Sequence, residues 1–320
     1  MQISEWWLWS GFIFLILATL TIDLLGFTGK KGHSFSTKEA LLWTFFWFFL
    51  ALLFNFFIWW YSYQTSGQAI ATQKAFEFFT GYLIEKSLSI DNIFVFILIF
   101  NYFSIPIKYQ RRILIFGVIG AILMRAIMIF LGYWLIKSFH WILYLFGLIL
   151  VFTSIRMLLE GEKEQQISQN VFLIKIKKYF NIIDQYDGDK FFISKNGIRY
   201  VTPLFLALIM VEMSDLIFAI DSIPAIFAIT MDPFIVFTSN IFAIMGLRAL
   251  YFLLADIIQR FHLLKYGLSL ILFFIGLKML IAEWIKIPIL LMLSIIIGTL
   301  TLFIGLSIYW PNKSQKLIKK

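Results

Sequence analysis

The chain has 320 residues, 61% of them hydrophobic and only 14% charged, with a mean hydropathy of +0.88, so it cannot offer water the polar surface a soluble domain needs and reads as an integral membrane protein. It has no cysteine, which excludes disulfide frameworks, thiolate nucleophiles and soft thiolate metal sites. Its formal charge of +9 is distributed over connecting segments rather than gathered on one face, so nucleic acid is not an expected partner.

A membrane-crossing helix takes about 20 mainly apolar residues. In chain order, nine stretches qualify: residues 6–26, 40–61, 77–103, 113–136, 139–159, 201–229, 234–256, 266–284 and 288–309. The first opens "MQISEWW", without a basic n-region or a small-residue cleavage site, and is expected to persist as a helix rather than be removed as a signal peptide. Trp6, Trp7 and Trp9 at its outer end, with Trp59 and Trp60 in the second stretch, suit the aromatic belt at a membrane interface. Between the spans the basic charge alternates. Lys30, Lys31 and Lys38, then Lys108, Arg111 and Arg112, then the loop 161–200, then Arg260 and Lys265, then the tail "NKSQKLIKK" are basic, whereas the segments between them carry single lysines at Lys74, Lys137 and Lys286. The excess of Lys and Arg on cytoplasmic loops places the N-terminus outside and the C-terminus in the cytoplasm. The loop 161–200 is the one sizeable soluble piece; its Asp184, Asp187 and Asp189 lack the terminal Glu of a calcium loop and read as a solvated turn.

The chain also repeats itself. "LILVFTSIRMLL" at 148–159 aligns without gaps to "LILFFIGLKMLI" at 270–281; "LMRAI" around Arg125 matches "GLRAL" around Arg248; "EKSLSIDNIFVF" lies over "DLIFAIDSIPAIF", pairing Glu85 with Asp215, Asp91 with Asp221 and Asn92 with Ser222. Spans three to five thus recur as spans six to eight, and the topology runs the two sets in opposite directions. The expected fold is all-α and polytopic, about nine transmembrane helices with an inverted three-helix repeat, a design in which ion sites lie near the bilayer midplane. Its parts are two N-terminal helices (1–76), a first repeat (77–160), the cytoplasmic loop (161–200), a second repeat (201–285) and a last helix with a basic tail (286–320).

Each ionised side chain at the bilayer centre costs about 2.5–3.5 kcal/mol. Glu85, Asp91, Glu212, Asp215 and Asp221 together approach about 15 kcal/mol, as much as the whole net stability of a domain. Lys86, Arg125 and Arg248 are the deep basic residues, and three cannot neutralise five. A bound cation uses the excess acid directly; a structural ion-pair network is the alternative. Glu212 and Asp215 share a helical face, whereas Asp215 and Asp221, like Glu85 and Asp91, diverge by about 120°. Pro224, and the hydrogen-bonding side chains of Ser87, Ser89, Asp91 and Asn92, are therefore expected to open both helices and free carbonyl oxygens. Carboxylates, Asn92, Ser222 and carbonyls form an all-oxygen set suited to Mg²⁺, Ca²⁺ or Mn²⁺. His33, His140 and His262 fall near predicted membrane edges, Met213 reads as packing, and Asp23, Glu77 and Asp256 read as caps or gates near an interface.

At these residues the sequence resembles a known family. "GYLIEKSLSIDNIFVF", "VEMSDLIFAIDSIPAIFAIT", "TSNIFAIMGLRALYFLL" and "LKYGLSLILFFIGLKMLI", with "SKNGIRY" in the loop between, resemble the TerC family of bacterial membrane proteins and within it the Alx-type members, from about Phe78 to Pro288. The resemblance implies that the family's functional acids fall on Glu85, Asp91, Glu212, Asp215 and Asp221, with Asn92 and Ser222 beside them. The family was named for tellurium resistance and its members are associated with manganese export, so the resemblance implies Mn²⁺ as the transported ion and the bacterial inner membrane as the location. The large CBS or transporter-associated domains of some relatives have no counterpart here, and regulation by them is not expected.

The expected function is thus a secondary transporter exporting Mn²⁺ through a midplane carboxylate site, by proton exchange, with the lipid bilayer as its setting and no prosthetic group. No GxxxxGK[ST] stretch occurs, so ATP hydrolysis is not expected; neither HExxH nor GxSxG occurs, so no enzyme is expected. Two alternatives stay open: transport of Ca²⁺ or Mg²⁺, which oxygen ligands alone do not separate from Mn²⁺, and a non-transporting scaffold linked to tellurium or metal stress resistance that recruits partners through the loop 161–200.

Overall fold

The structure, a computed structural model, describes residues 5–26, 37–139, 141–159, 181–183, 188–195, 198–254, 263–282, 284–285 and 287–310. Apolar runs too long for strands and almost free of interior proline fold as helices: α1 (Trp6–Gly26), α2 (Thr37–Ser66), α3 (Gln68–Tyr102), α4 (Ile107–Ser138), α5 (Ile142–Leu159), α6 (Pro203–Phe227), α7 (Pro233–Met245), α8 (Leu247–Leu254), α9 (Leu264–Leu280) and α10 (Ile289–Tyr309). Among the described residues, six stretches are long and apolar enough to cross a membrane: α2, α4, α5, α6, the pair α7–α8 and α10. The 35-residue α3 begins at Gln68, not at 77, because Gln73, Lys74 and Glu77 find partners inside the protein and so extend the helix past its apolar stretch. The protein is therefore a nearly all-helical, multi-pass membrane protein.

One small element differs from the solvated loop the sequence suggests. Phe192–Lys195 (β1) and Ile198–Val201 (β2) form an antiparallel hairpin in which Phe192 pairs with Val201. It is held to the helices by the Phe192 and Phe205 rings, 4.6 Å apart, and by a 2.5 Å ion pair between Asp189 and Arg112. Asp184 and Asp187 lie outside the described residues.

The burial pattern inverts that of a soluble protein. On α2, Phe45, Phe49 and Phe56 are each about 60% exposed, which suits contact with lipid, whereas every residue of α7 from Phe234 to Met245 is buried. That central helix packs against α3 and α4, and α6 packs against both as well. The four helices surround the polar residues of the interior.

Helices α5 and α9 lie in close antiparallel contact, Gly147 against Gly276 and Ser154 against Ser269, whose hydroxyl donates to the Ser154 carbonyl at 2.6 Å. Small residues let the backbones approach, as lipid-embedded helix pairs require. A Cβ on Gly276 would stand 2.9 Å from the Gly147 carbonyl oxygen, a backbone atom that cannot step aside, while one on Gly298 of α10 would meet nothing within 4 Å. Gly276→Ala is accordingly expected to destabilise by about 1–3 kcal/mol and Gly298→Ala to gain up to about 1 kcal/mol in helix propensity; thermal unfolding in detergent measures both, and an equal response at the two positions would contradict the packing argument.

The two expected helix openings do not occur. Both α3 and α6 are continuous through the acidic residues. Pro224 lies one turn from the end of α6, where its missing N–H orphans a single carbonyl and the helix ends at Phe227. In α3, Ser87 simply bonds back to the Leu83 carbonyl at 2.6 Å, an arrangement a helix tolerates. The interruption falls instead at Gly246, between α7 and α8.

Candidate functional site

Unbroken helices decide which side chains can meet. On α3, Glu85 and Asn92 are seven residues apart, two turns on one face, as are Asp215 and Ser222 on α6. These two faces converge on Arg125 of α4. Its Nη1 donates to Glu85 Oε1, to Ser222 Oγ at 3.2 Å and to Asn240 Oδ1 at 3.4 Å; its Nη2 and Nε donate to the two oxygens of Asp215 at 3.1 and 3.3 Å. Asn240 of α7 also donates to Glu85 Oε2 at 3.1 Å, and Asn92 donates to Asp215 Oδ1 at 3.3 Å. Glu85 and Arg125 are almost wholly shielded and Asp215 is 5% exposed. One guanidinium thus bridges two carboxylates from different helices, and the cluster keeps a formal charge of −1 in a setting of low dielectric.

The other predicted residues separate from this centre. Glu212 lies one turn from Asp215 on α6, against Gly120 of α4, where a methyl group would overlap its carboxylate. It lines a small pocket with Phe96, Gly117, Val118, Asp215 and Leu247. Asp221 turns away: it accepts from Thr153 of α5 at 3.0 Å, as its angular offset from Asp215 requires once α6 stays whole. The side chain of Asp91 lies outside the described residues, as do the side chain of Asp23 and all of Asp256, His33, His140 and His262. Lys86 donates to the Ala243 carbonyl at 3.2 Å, at the C-terminal end of α7 where a helix favours a cation. Arg248 is buried in α8.

Two acceptors in this region have no donor among the described residues: Asn92 Oδ1, whose amide nitrogen donates to Asp215, and Glu212 Oε2, which shares a pocket with Asp215. A buried acceptor without a partner is costly and calls for a proton, a donor or a cation. Asn92 Oδ1, Asp215 and Glu212 offer oxygen alone, the donor chemistry of a hard divalent ion. Among the described residues no three acidic or histidine side chains gather closely enough to form a complete cage.

Asn240 was absent from the predicted site, although a lone amide in an otherwise apolar span is itself a signal of an interior function. The sequence also did not reveal a second ionic cluster. Lys74 of α3 is buried between Glu77 at 3.1 Å and Asp232 at 3.2 Å; Thr230 donates to Glu77 at 2.6 Å, Gln73 donates to it at 2.8 Å, and Asp232 accepts from the Phe234 N–H at 3.1 Å as the N-cap of α7. Read as a cap or gate from sequence, Glu77 instead ties the start of α3 to the connection between α6 and α7.

Residues 70–316 match a family model described as "Integral membrane protein TerC family". The chain is 52% identical over 296 residues to the Escherichia coli (strain K12) protein Alx, named as a membrane-bound redox modulator, with 92% of each chain covered. It is 49% identical over 313 residues to the Salmonella typhi protein of the same name, covering 98% of this chain and 97% of the other. A Myxococcus xanthus membrane protein, STKORF319, is 45% identical over 293 residues, 92% of this chain and 89% of that one. No solved structure matches the chain.

Proposed function

The chain belongs to the TerC family of integral membrane proteins, and from that premise we propose that it is a secondary transporter that exports Mn²⁺ from the cytoplasm across the bacterial inner membrane. Asp215, Glu85, Glu212, Asn92 and Ser222 supply the central oxygen ligands, with Asp91 and Asp221 on the same path. In this reading nine spans cross the bilayer with the N-terminus outside and the C-terminus in the cytoplasm, and residues 77–160 and 201–285 are inverted repeats whose relative rocking moves the site from one side to the other. The antiparallel contact of α5 with α9 supports that reading, since the aligned positions Gly147 and Ser269, and likewise Ser154 and Gly276, exchange roles across it.

The observation that carries the proposal is the surplus of acceptors near Asp215: buried oxygens on Asn92 and Glu212 have no donor among the described residues, beside a cluster that is already net negative. A purely structural ion-pair network would consume its acceptors, as the Lys74 cluster does. Glu212, which has no cationic partner among the described residues, is the group that exchanges a proton for the ion. The redox role in the names of the relatives is compatible with control of a redox-active metal ion; a thiol in this chain cannot carry it, because the chain has no cysteine.

The test is flux in liposomes that hold the full chain and a trapped metal-sensitive dye. The expected result is saturable Mn²⁺ movement, faster with an opposing proton gradient and faster than that of Ca²⁺ or Mg²⁺. Faster Ca²⁺ or Mg²⁺ movement would reassign the ion. If none of the three ions moves, transport itself is excluded.

A further inference from the structure

We infer that Arg125 is a tethered counter-ion that competes with the transported cation for the carboxylates of Glu85 and Asp215. The inference rests on the proposed cation transport and assigns the residue that regulates the site. Of the four carboxylate oxygens, three accept from the Arg125 guanidinium: Glu85 Oε1 and both oxygens of Asp215. A metal ion coordinated by the same oxygens would stand within a few ångströms of a fixed positive charge, inside a protein and away from water, where like charges repel strongly. The ion and the guanidinium therefore cannot share these ligands, and one must yield to the other.

Arginine stays charged in proteins, so it yields by moving and not by losing a proton. The geometry offers it somewhere to go. Long side chains on a helix lean toward the preceding turn, and on α4 the i−4 position below Arg125 is the small Ala121, with Ile122 at i−3 beside it and Gly120 one residue further toward the N-terminus. The Glu212 carboxylate rests against Gly120, with one oxygen that has no partner among the described residues. A guanidinium released from Glu85 and Asp215 would find its next acceptor there. The same exchange sets the class of ion transported: a divalent ion replaces one positive charge by two and gains electrostatically, whereas a monovalent ion gains nothing over the resident guanidinium. It also gives the carrier without its ion a neutralising group that travels with it.

Mn²⁺ binding by the purified full chain in nanodiscs, followed through the loss of the free-ion electron paramagnetic resonance signal, tests the inference. Arg125→Gln is expected to bind Mn²⁺ about tenfold more tightly than the unaltered protein, a coupling of ordinary size, and to become sensitive to competition by Na⁺, while its flux falls because the ion is held. Arg125→Lys keeps the charge, loses the two-pronged hydrogen bonding, and is expected to lie between the two; it decides the matter if the Gln variant does not fold. A purely structural role for Arg125 would weaken binding in both variants. Binding by the unaltered protein that neither substitution strengthens overturns the inference and leaves the transport reading standing, whereas the absence of binding in all three proteins overturns both.

Discussion

Asp215→Asn is expected to lower Mn²⁺ flux about a hundredfold or more in liposomes while the protein still inserts and purifies. Asp215 is the acceptor on which the site converges, taking hydrogen bonds from Arg125 Nε, Arg125 Nη2 and Asn92 and lying one helical turn from Glu212. The substitution keeps its shape and removes its charge. Loss of one charged partner from a buried, hydrogen-bonded set weighs about 2–5 kcal/mol, and about 2.8 kcal/mol already corresponds to a hundredfold. Glu85→Gln should have an effect of the same order, since Glu85 is the counterpart of Asp215 on the far side of the guanidinium. Asp221→Asn should cost less, because Asp221 is bonded to Thr153 away from the centre. Dye-reported initial rates rank the three. If Asp221→Asn proves the most damaging and Asp215→Asn retains most of its flux, the centre is misplaced.

The second large effect concerns folding stability. Lys74→Met leaves Glu77 and Asp232, each about 95% shielded or more, without the ammonium that lies between them. An uncompensated buried charge costs about 3–5 kcal/mol, whereas replacing a whole buried pair by apolar groups is often neutral. Lys74→Met should therefore lower the thermal unfolding midpoint in detergent markedly, and the combination Lys74→Met with Glu77→Gln should recover part of the loss, with Asp232 still held by the α7 N-terminus. A single substitution that shifts stability by less than about 1 kcal/mol would show that water reaches this cluster.

Much of this architecture is written in local composition. Long apolar runs cannot satisfy their backbone in lipid except as helices, and so the span at 6–26 appears as Trp6–Gly26 and that at 288–309 as Ile289–Tyr309. Polar residues inside a span are costly wherever the chain places them, which is why Glu85, Asn92, Glu212, Asp215 and Ser222 stand out without any coordinates. Local reasoning failed at two places. Helix-breaking residues at Pro224 and in "SLSIDN" suggested opened helices, yet Pro224 falls only one turn before the end of α6 and Ser87 bonds back within α3, so both helices stay intact through the acids. Lys74 and Glu77 read as an interface, yet they are buried by a connection more than 150 residues away in sequence.

The sequence alone determined that this chain lives in a membrane, that most of it is helical, which family it resembles and which polar side chains lie in its spans, because hydropathy and charge act residue by residue. Only the tertiary structure decided that Arg125 binds Glu85 and Asp215 at once, that Asn240 donates to Glu85 and that Asp221 turns toward α5. The physical reason is that a side chain's partner depends on the rotation of its helix against three others, and that rotation is fixed by packing summed over the whole bundle rather than by any one segment.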